Sequence, residues 1–265
     1  MDIFAKGLDW YDQPEIRERL FFPRKMFLFD NTKDSGGFYQ AIEVEDGLSI
    51  TCRFYPAHHE APNILYFHGN GEIASDYDDL SPEYTERGMN LFITDYRGYG
   101  MSQGVPSCRA MIYDAHPLFQ GWKDFLREQK YTGGLYIMGR SLGSAPAIEL
   151  AFHYGKELKG LIVESGFSAA KRQIRRIGMS HILRDDPNPV GFGNDHKIRE
   201  INLPILIIHG EADDIIPAEE GRELYKLSPA ERKERLFIPF AGHNDLLYMA
   251  LDDYMTAIKT FTRAT

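Results

Sequence analysis

Cysteine is scarce in this sequence, and the common metal and dinucleotide motifs are missing. Two cysteines, Cys52 and Cys108, occur in 265 residues. Such a low number is unlike a secreted disulfide framework and is typical of a reducing compartment. His58-His59-Glu60 lacks the spacing of a His-Glu-x-x-His zinc motif, and Gly98-Tyr99-Gly100 does not complete a G-x-G-x-x-G fingerprint. We therefore expect neither a metal nor a cofactor.

Positively charged residues are fewer than negatively charged ones, and long apolar runs are missing. The chain has 30 Lys and Arg against 39 Asp and Glu, a net charge of −9 and a pI near 5.5, which argues against nucleic acid as a partner. No window reaches the ~18 uninterrupted apolar residues of a transmembrane helix. Asp2 and Asp9 interrupt the first ten residues, so we expect no signal peptide and a cytoplasmic location. Peripheral membrane contact and the oligomeric state stay open.

Short apolar runs alternate with helix-like segments over most of the chain. A hairpin is predicted over 38–55, with its turn at Glu45-Asp46-Gly47. Further strands are predicted at 64–67, 91–95, 135–138, 160–164, 205–208 and 236–239, with helices near 13–20, 81–87 and 108–129 and from 145 onward. This βαβ rhythm predicts an α/β fold with a mostly parallel sheet flanked by helices. The length favours one domain over residues 1–265.

The segment Gly139-Arg140-Ser141-Leu142-Gly143 is the most informative motif. G-x-S-x-G alone is a weak signal, but here it follows a predicted strand and precedes a predicted helix. That order is typical of a nucleophile elbow, a sharp turn that lifts the serine oxygen clear of the backbone. Glycines flank the serine because a side chain there would collide with the adjoining strand or helix. The motif predicts Ser141 as a nucleophile.

A serine hydroxyl needs a base to take its proton and a carboxylate to orient that base. Asp213 follows the apolar run 205–208, and His243 lies in a Gly-containing loop after the last predicted strand. The order Ser, acid, His is one of those known for such triads. Each of the three follows a separate strand, at the edge where parallel sheets bind ligands. We predict a triad of Ser141, Asp213 and His243.

Other titratable residues near the strand ends have alternative interpretations. Asp214 and Glu164 are the other candidates for the orienting acid. His68 and His209 flank glycines at strand ends and are expected to be structural.

A basic cluster at Lys171, Arg172, Arg175 and Arg176 is either a solvated helix face or a region that attracts acidic substrates or anionic lipid headgroups.

The fourth part of such a site is a pair of donors for the oxyanion. His68-Gly69-Asn70-Gly71 follows the strand predicted at 64–67, and small residues allow the backbone to turn sharply there. We expect the backbone N–H groups of Asn70 and Leu142 to form the oxyanion hole. Removal of one such donor typically costs about 2.7–4 kcal/mol of transition-state stabilisation.

The stretch 165–203 interrupts the alternation of strands and helices. It is long and contains Asp186-Pro187-Asn188-Pro189, and insertions of this length are usually functional or disordered. We expect a small cap over Ser141, inserted after the sixth core strand. Phe167, Ile174 and Ile177 are among its apolar side chains that could bind an acyl chain. The alternative is that they only pack the cap against the body of the domain.

Together these motifs resemble the α/β-hydrolase superfamily from about Gln40 to the C-terminus. The sequence is similar to a small serine-hydrolase branch with His-Gly-Asn-Gly after the third strand and Asp-Tyr-Arg-Gly-Tyr-Gly (95–100) after the fourth. The resemblance implies cleavage of an ester, thioester or amide through an acyl-enzyme, and a lid in the place of 165–203. The cysteine-rich N-terminal tail of the membrane-attached depalmitoylases has no counterpart here, so a palmitoylated protein is not the expected substrate.

Three functions are compatible with these features. The preferred one is a serine hydrolase that cleaves an acyl ester or thioester of a small or lipid-like substrate. A peptidase or acyl-aminoacyl hydrolase with the same triad is the alternative among enzymes. A non-catalytic binding protein on the same fold would typically have lost a member of the triad, and all three candidates are present here.

Overall fold

The computed structural model describes residues 7–8, 11–26, 36–169, 172, 178 and 191–263. Within these ranges the strands are β1 (Phe38–Glu45), β2 (Leu48–Tyr55), β3 (Asn63–Phe67), β4 (Asn90–Thr94), β5 (Leu135–Arg140), β6 (Gly160–Glu164), β7 (Ile205–Gly210) and β8 (Lys233–Ile238). The α-helices are α1 (Pro14–Leu20), α2 (Ser81–Thr85), α3 (Cys108–Glu128), α4 (Ser144–Tyr154), α5 (Asn194–Lys197), α6 (Ala218–Leu227) and α7 (Leu246–Arg263). Short 3-10 turns lie at Ala74–Tyr77, Ser141–Gly143 and Ile198–Glu200.

All eight of these strands form one sheet in the order β1-β2-β4-β3-β5-β6-β7-β8. β1 pairs antiparallel with β2, and β2 pairs antiparallel with β4. From β4 through β8 every pairing is parallel. β3, β4, β6 and β7 are buried at every residue. Strands that are covered on both faces have largely apolar sequences, which agrees with the apolar runs from which they were predicted. The predicted α/β fold with a mostly parallel sheet is confirmed.

The sheet separates two apolar clusters, and β5 contributes to both. Ile137 packs with α3 and α4, whereas Tyr136 and Met138 pack on the opposite face with α2 and α7. This alternation follows from the two-residue period of a strand. Among the described residues, no helix combines the length and the apolar character needed to cross a membrane.

Parallel strands end at a common edge of the sheet, and that edge carries the candidate site. β3 runs into the loop that holds Asn70, and β5 runs into Ser141. Asp213 follows β7 and His243 follows β8. β5 lies between β3 and β6, so Ser141 stands near the centre of this edge. Of the expected cap, the described residues are 165–169, 172, 178 and 191–203, and its role as a lid stays a prediction.

Candidate active site

Ser141 occupies a strained turn at the end of β5. Its φ is +53°, a left-handed conformation that residues other than glycine rarely adopt. A Cβ atom on Gly139 would lie 2.2 Å from the carbonyl oxygen of Gly143, and one on Gly143 would lie 2.1 Å from the carbonyl oxygen of Phe67. Both contacts are impossible, so each flanking glycine is needed for the turn to pack against β3 and α4. This is the geometry of a nucleophile elbow.

A chain of hydrogen bonds joins the three residues of the predicted triad. His243 Nε2 lies 2.9 Å from Ser141 Oγ. His243 Nδ1 lies 2.7 Å from Asp213 Oδ2. Ser141 is 8% exposed, His243 6% and Asp213 5%. Bulk water therefore screens these bonds little. Residues 102 and 30 positions apart in the chain are thereby brought together.

Asp213 is held in one orientation by several donors. Its Oδ1 accepts hydrogen bonds from the backbone N–H groups of Ile215 at 3.0 Å and Ile216 at 2.8 Å, while its Oδ2 faces His243 and, at 3.4 Å, His209 Nε2. Burial works to raise the pKa of Asp213, but the bonds from His209, His243 and Ile216 lower it below its usual range. The carboxylate therefore remains charged beside the imidazole.

Of the alternative acids and histidines, His209 contacts Asp213, whereas Glu164 and His68 bond to residues outside the predicted triad. Glu164 accepts from Arg140 Nε at 3.0 Å and from Tyr254 Oη at 2.7 Å, and Asp214 is exposed. His209 Nε2 lies 2.7 Å from the carbonyl oxygen of Ile216. His68 Nε2 lies 3.2 Å from Asp95 Oδ1. These two buried histidines hold the loops that follow β7 and β3.

The loop that follows β3 is held in place from several directions. The Gly69 N–H donates to Glu72 Oε2 at 2.8 Å, which tightens the turn. The Asn70 side chain donates to the carbonyl oxygen of Leu20 at 2.7 Å and accepts from the Phe22 N–H at 3.0 Å and from Tyr99 Oη at 2.7 Å. These bonds fix Asn70 between the N-terminal segment and Tyr99. The role of Asn70 and Leu142 as oxyanion donors stays a prediction.

Arg140, the residue before Ser141, is a part of the site that sequence reasoning missed. Its guanidinium pairs with Glu72 and donates to Glu164 Oε1 at 3.0 Å, to the His243 carbonyl oxygen at 2.8 Å and to Asn244 Oδ1 at 2.9 Å. One side chain thus links the loops after β3 and β8 to β6. Burial opposes the charge, but Glu164 and Glu72 raise the pKa of Arg140 overall. The sequence signal that could have identified it is a charged residue, Arg140, at the end of the apolar strand β5.

Replacing Arg140 with methionine should destabilise the fold by about 3–5 kcal/mol, because it leaves Glu72 and Glu164 without their cation in a largely buried place. Urea unfolding followed by circular dichroism measures the change. Arg127→Met is the matched control, since that side chain is 73% exposed and pairs with its helical neighbour Asp124; we expect a change below about 0.5 kcal/mol. Equal losses in the free energy of unfolding for the two variants would contradict the role of Arg140 as the buried cation that pairs with Glu72 and Glu164.

The residues predicted to bind substrate are only partly placed. Phe167 is buried, its ring lies edge-on to Phe192 at 5.8 Å between centroids, and its carbonyl oxygen accepts from Asn194 Nδ2 at 2.9 Å. That environment is one of core packing. Ile174 and Ile177 lie outside the described residues. Contact of these three with an acyl chain stays a prediction.

Exposed apolar side chains occur close to the acid and the base in sequence. Ile215, two residues after Asp213, is 50% exposed. Phe240, three residues before His243, is 85% exposed, and Tyr248, five residues after it, is 90% exposed. Apolar side chains near a site can contact an apolar substrate, whereas isolated ones are normal at a protein surface.

Comparison with known proteins agrees with this geometry. Residues 58–184 match the family described as serine aminopeptidase, S33, and residues 127–243 match the family described as serine hydrolase (FSH1). The chain is 33% identical over 208 residues to lysophosphatidylserine lipase ABHD12 of Rattus norvegicus, covering 71% of this chain and 51% of that protein. It is 28% identical over 222 residues to the protein YfhR of Salmonella typhi, covering 76% and 73%. The chain spans about half the length of the lipase relatives it matches.

Solved structures show the same fold. The Pyrococcus furiosus esterase Pf2001 superposes with a TM-score of 0.73 at 18% identity, over 92% of this chain and 99% of that one. Est1E from Butyrivibrio proteoclasticus superposes with a TM-score of 0.66 at 16% identity, over 85% and 98%. The fold is that of the α/β-hydrolases. The chain belongs to this superfamily, and its matched residues are similar to those of serine hydrolases.

Proposed function

We propose that this protein is a serine hydrolase that cleaves the acyl ester of a lipid-like substrate through Ser141, His243 and Asp213. The observation that carries the proposal is the continuous hydrogen-bonded chain from Ser141 Oγ through His243 to Asp213, with separations of 2.9 Å and 2.7 Å. The strained turn at Ser141 supports it, because such a turn presents the hydroxyl at the edge of the sheet.

The reaction proceeds in two displacements on Ser141. In the first, Oγ attacks the ester carbonyl carbon while His243 Nε2 takes the hydroxyl proton. The tetrahedral intermediate then expels the alcohol, which receives that proton from His243, and leaves an acyl-enzyme. In the second, water gives a proton to His243, attacks the acyl carbon and releases the carboxylic acid, and Ser141 regains its proton. Asp213 keeps Nδ1 protonated throughout, so Nε2 is free to accept.

The negative oxygen of each tetrahedral intermediate needs fixed donors. We assign this role to the backbone N–H groups of Asn70 and Leu142. Leu142 directly follows the nucleophile, and the Asn70 side chain is held by Leu20, Phe22 and Tyr99. Donors held before the reaction stabilise the developing charge without reorganisation.

A lipid-like substrate is supported by two observations. The exposed side chains of Ile215, Phe240 and Tyr248 offer apolar surface near the acid and base in sequence. The relatives named lysophosphatidylserine lipase share the matched region. A single acyl chain on a polar alcohol is therefore the substrate class that we favour, with a thioester as the neighbouring chemistry. We also propose a cytoplasmic location. Cys52 and Cys108 are both buried and free, and free cysteines are typical of a reducing compartment.

Turnover of a panel of p-nitrophenyl esters graded by acyl length tests this function. We expect ester hydrolysis by the unmodified protein with a preferred acyl length, because apolar contacts add binding energy until the acyl site is filled. The matching acyl thioesters and lysophospholipids form the second arm. Absence of turnover for every ester by folded protein would overturn the proposal.

A peptidase is the second candidate, because residues 58–184 match the serine aminopeptidase family. Such an enzyme needs a free carboxylate near the nucleophile to bind the substrate ammonium. Among the described residues, Glu72 and Glu164 are carboxylates next to Arg140 of the elbow, and both already pair with it. We therefore expect acyl esters to be cleaved faster than aminoacyl amides of the same side chain. The opposite order of kcat/KM would favour the peptidase.

A further inference from the structure

Two histidines and a glutamate converge between α3 and α4, separate from the triad. His116 lies on α3, and Glu149 and His153 lie one helical turn apart on α4. His116 Nε2 is 3.4 Å and His153 Nε2 is 3.0 Å from the same oxygen, Glu149 Oε1. One ligand atom from each of the three lies within 4.8 Å of the others. Three donors from two helices thus face a common point.

The spacing of these donors suits a divalent transition-metal ion. Imidazole nitrogen and carboxylate oxygen bind zinc at about 2.0–2.2 Å, so two ligand atoms in a tetrahedral shell lie about 3.3 Å apart. The observed separations of 3.4 Å and 3.0 Å lie on either side of this value. His153 is the more exposed ring, with 44% of its side chain accessible. The two ring nitrogens lie within 4.8 Å of each other, so a tetrahedral shell requires the His153 ring to rotate towards His116.

Neighbouring groups hold two of the three ligand side chains, His116 and Glu149, in the required orientation. Tyr154 Oη lies 3.0 Å from His116 Nδ1; a hydrogen bond from Nδ1–H to that oxygen leaves the Nε2 lone pair free for a metal. Lys197, whose ammonium donates to the Phe192 carbonyl oxygen at 2.6 Å, pairs with Glu149 Oε2. Oε1, the other oxygen of this buried carboxylate, is the one that both histidines face.

We propose that His116, Glu149 and His153 form a binding site for a divalent transition-metal ion such as Zn²⁺, with water completing its coordination. Three protein ligands with one open position form a recognised zinc arrangement. The ion would join α3 to α4, the helix whose Ser144 hydroxyl donates to the Ser141 carbonyl oxygen at 2.6 Å. This proposal replaces the expectation of no metal, which rested on sequence motifs within a single segment. It uses no residue of the triad.

Isothermal titration of tag-free protein with zinc chloride tests the site. We expect one ion per chain for the unmodified protein, and an affinity at least about tenfold lower for both His153→Gln and His116→Gln. His196→Gln is the matched control, an exposed histidine on α5, and should bind as the unmodified protein does. No saturable binding by the unmodified protein, or unchanged affinity in His153→Gln, would overturn the proposal.

A second arm separates this site from the triad, because His243 is also an imidazole that could bind zinc. His243→Gln should retain the full affinity if the ion lies between α3 and α4. Loss of binding in His243→Gln would place the ion at the triad and reject the proposal. Anomalous diffraction at the zinc edge from soaked crystals should show a peak between His116, Glu149 and His153. A peak only at another position would also reject it.

Discussion

Ser141→Ala should lower kcat for ester hydrolysis by about 10⁶-fold while the protein remains folded. The alanine keeps the Cβ atom but removes Oγ, the atom that lies 2.9 Å from His243 Nε2 and forms the acyl-enzyme. Neither His243 nor Asp213 can replace a missing nucleophile, so the loss is as large as that of the whole triad. Steady-state turnover of a p-nitrophenyl ester measures kcat, and the circular dichroism spectrum reports the fold.

The matched control for this substitution is Ser75→Ala, a partly exposed serine in the 3-10 turn Ala74–Tyr77. We expect its kcat to equal that of the unmodified protein. Turnover by Ser141→Ala near the unmodified rate would show that another group attacks the ester. The triad assignment would then be wrong, although the fold would stand.

Asp213→Asn should lower kcat by about 10⁴-fold, the second-largest effect that we expect. The asparagine preserves shape but presents an amide in place of the charged carboxylate that lies 2.7 Å from His243 Nδ1. If the amide nitrogen donates to Nδ1, the ring carries its proton on Nε2 and cannot take one from Ser141. The imidazolium that forms during attack also loses its neighbouring negative charge. The measurement is kcat at the pH where the unmodified protein is most active.

Asp214→Asn is the control for that prediction, because Asp214 is the adjacent carboxylate and is exposed. We expect it to have little effect on kcat. A large loss in Asp214→Asn with near-normal Asp213→Asn would exchange the roles of the two residues. Similar losses in both would indicate a disturbance of the whole loop after β7.

The architecture was accessible from the sequence because strand and turn signals are local. The hairpin of β1 and β2 was predicted from alternation on either side of Glu45-Asp46-Gly47, and Gly47 has φ +71°, which glycine adopts without strain. Similarly, α3 begins at Cys108, directly after Ser107, whose side chain accepts from the Ala110 N–H as a helix cap. The expected helix over 81–87 is shorter in the structure, where α2 ends at Thr85.

Contacts between distant residues could not be read in the same way. The Asn70 side chain meets Leu20, 50 positions away, and Arg140 meets Glu72, 68 positions away. No periodicity or spacing predicts such pairs, because they depend on how loops pack after the sheet has formed. The cluster of His116 with Glu149 and His153 has the same origin, since two helices supply its ligands.

The proximity of Ser141, Asp213 and His243 was predictable for a different reason. Each of the three follows a strand in an ordered motif, and a parallel sheet brings the carboxyl ends of its strands to one edge. Residue order along the chain therefore carried three-dimensional information. The acyl site lacks this property, because its predicted residues lie in 165–203, where no regular alternation links sequence to position.

Mass-spectrometric mapping of a fluorophosphonate adduct on the unmodified protein tests the central claim most directly. The probe reacts with a serine oxygen that a neighbouring base activates, so no knowledge of the natural substrate is required. We predict one adduct, located on Ser141 in the peptide that spans Gly139 to Gly143. Folded protein that forms no adduct, or forms it on a different serine, would contradict the account.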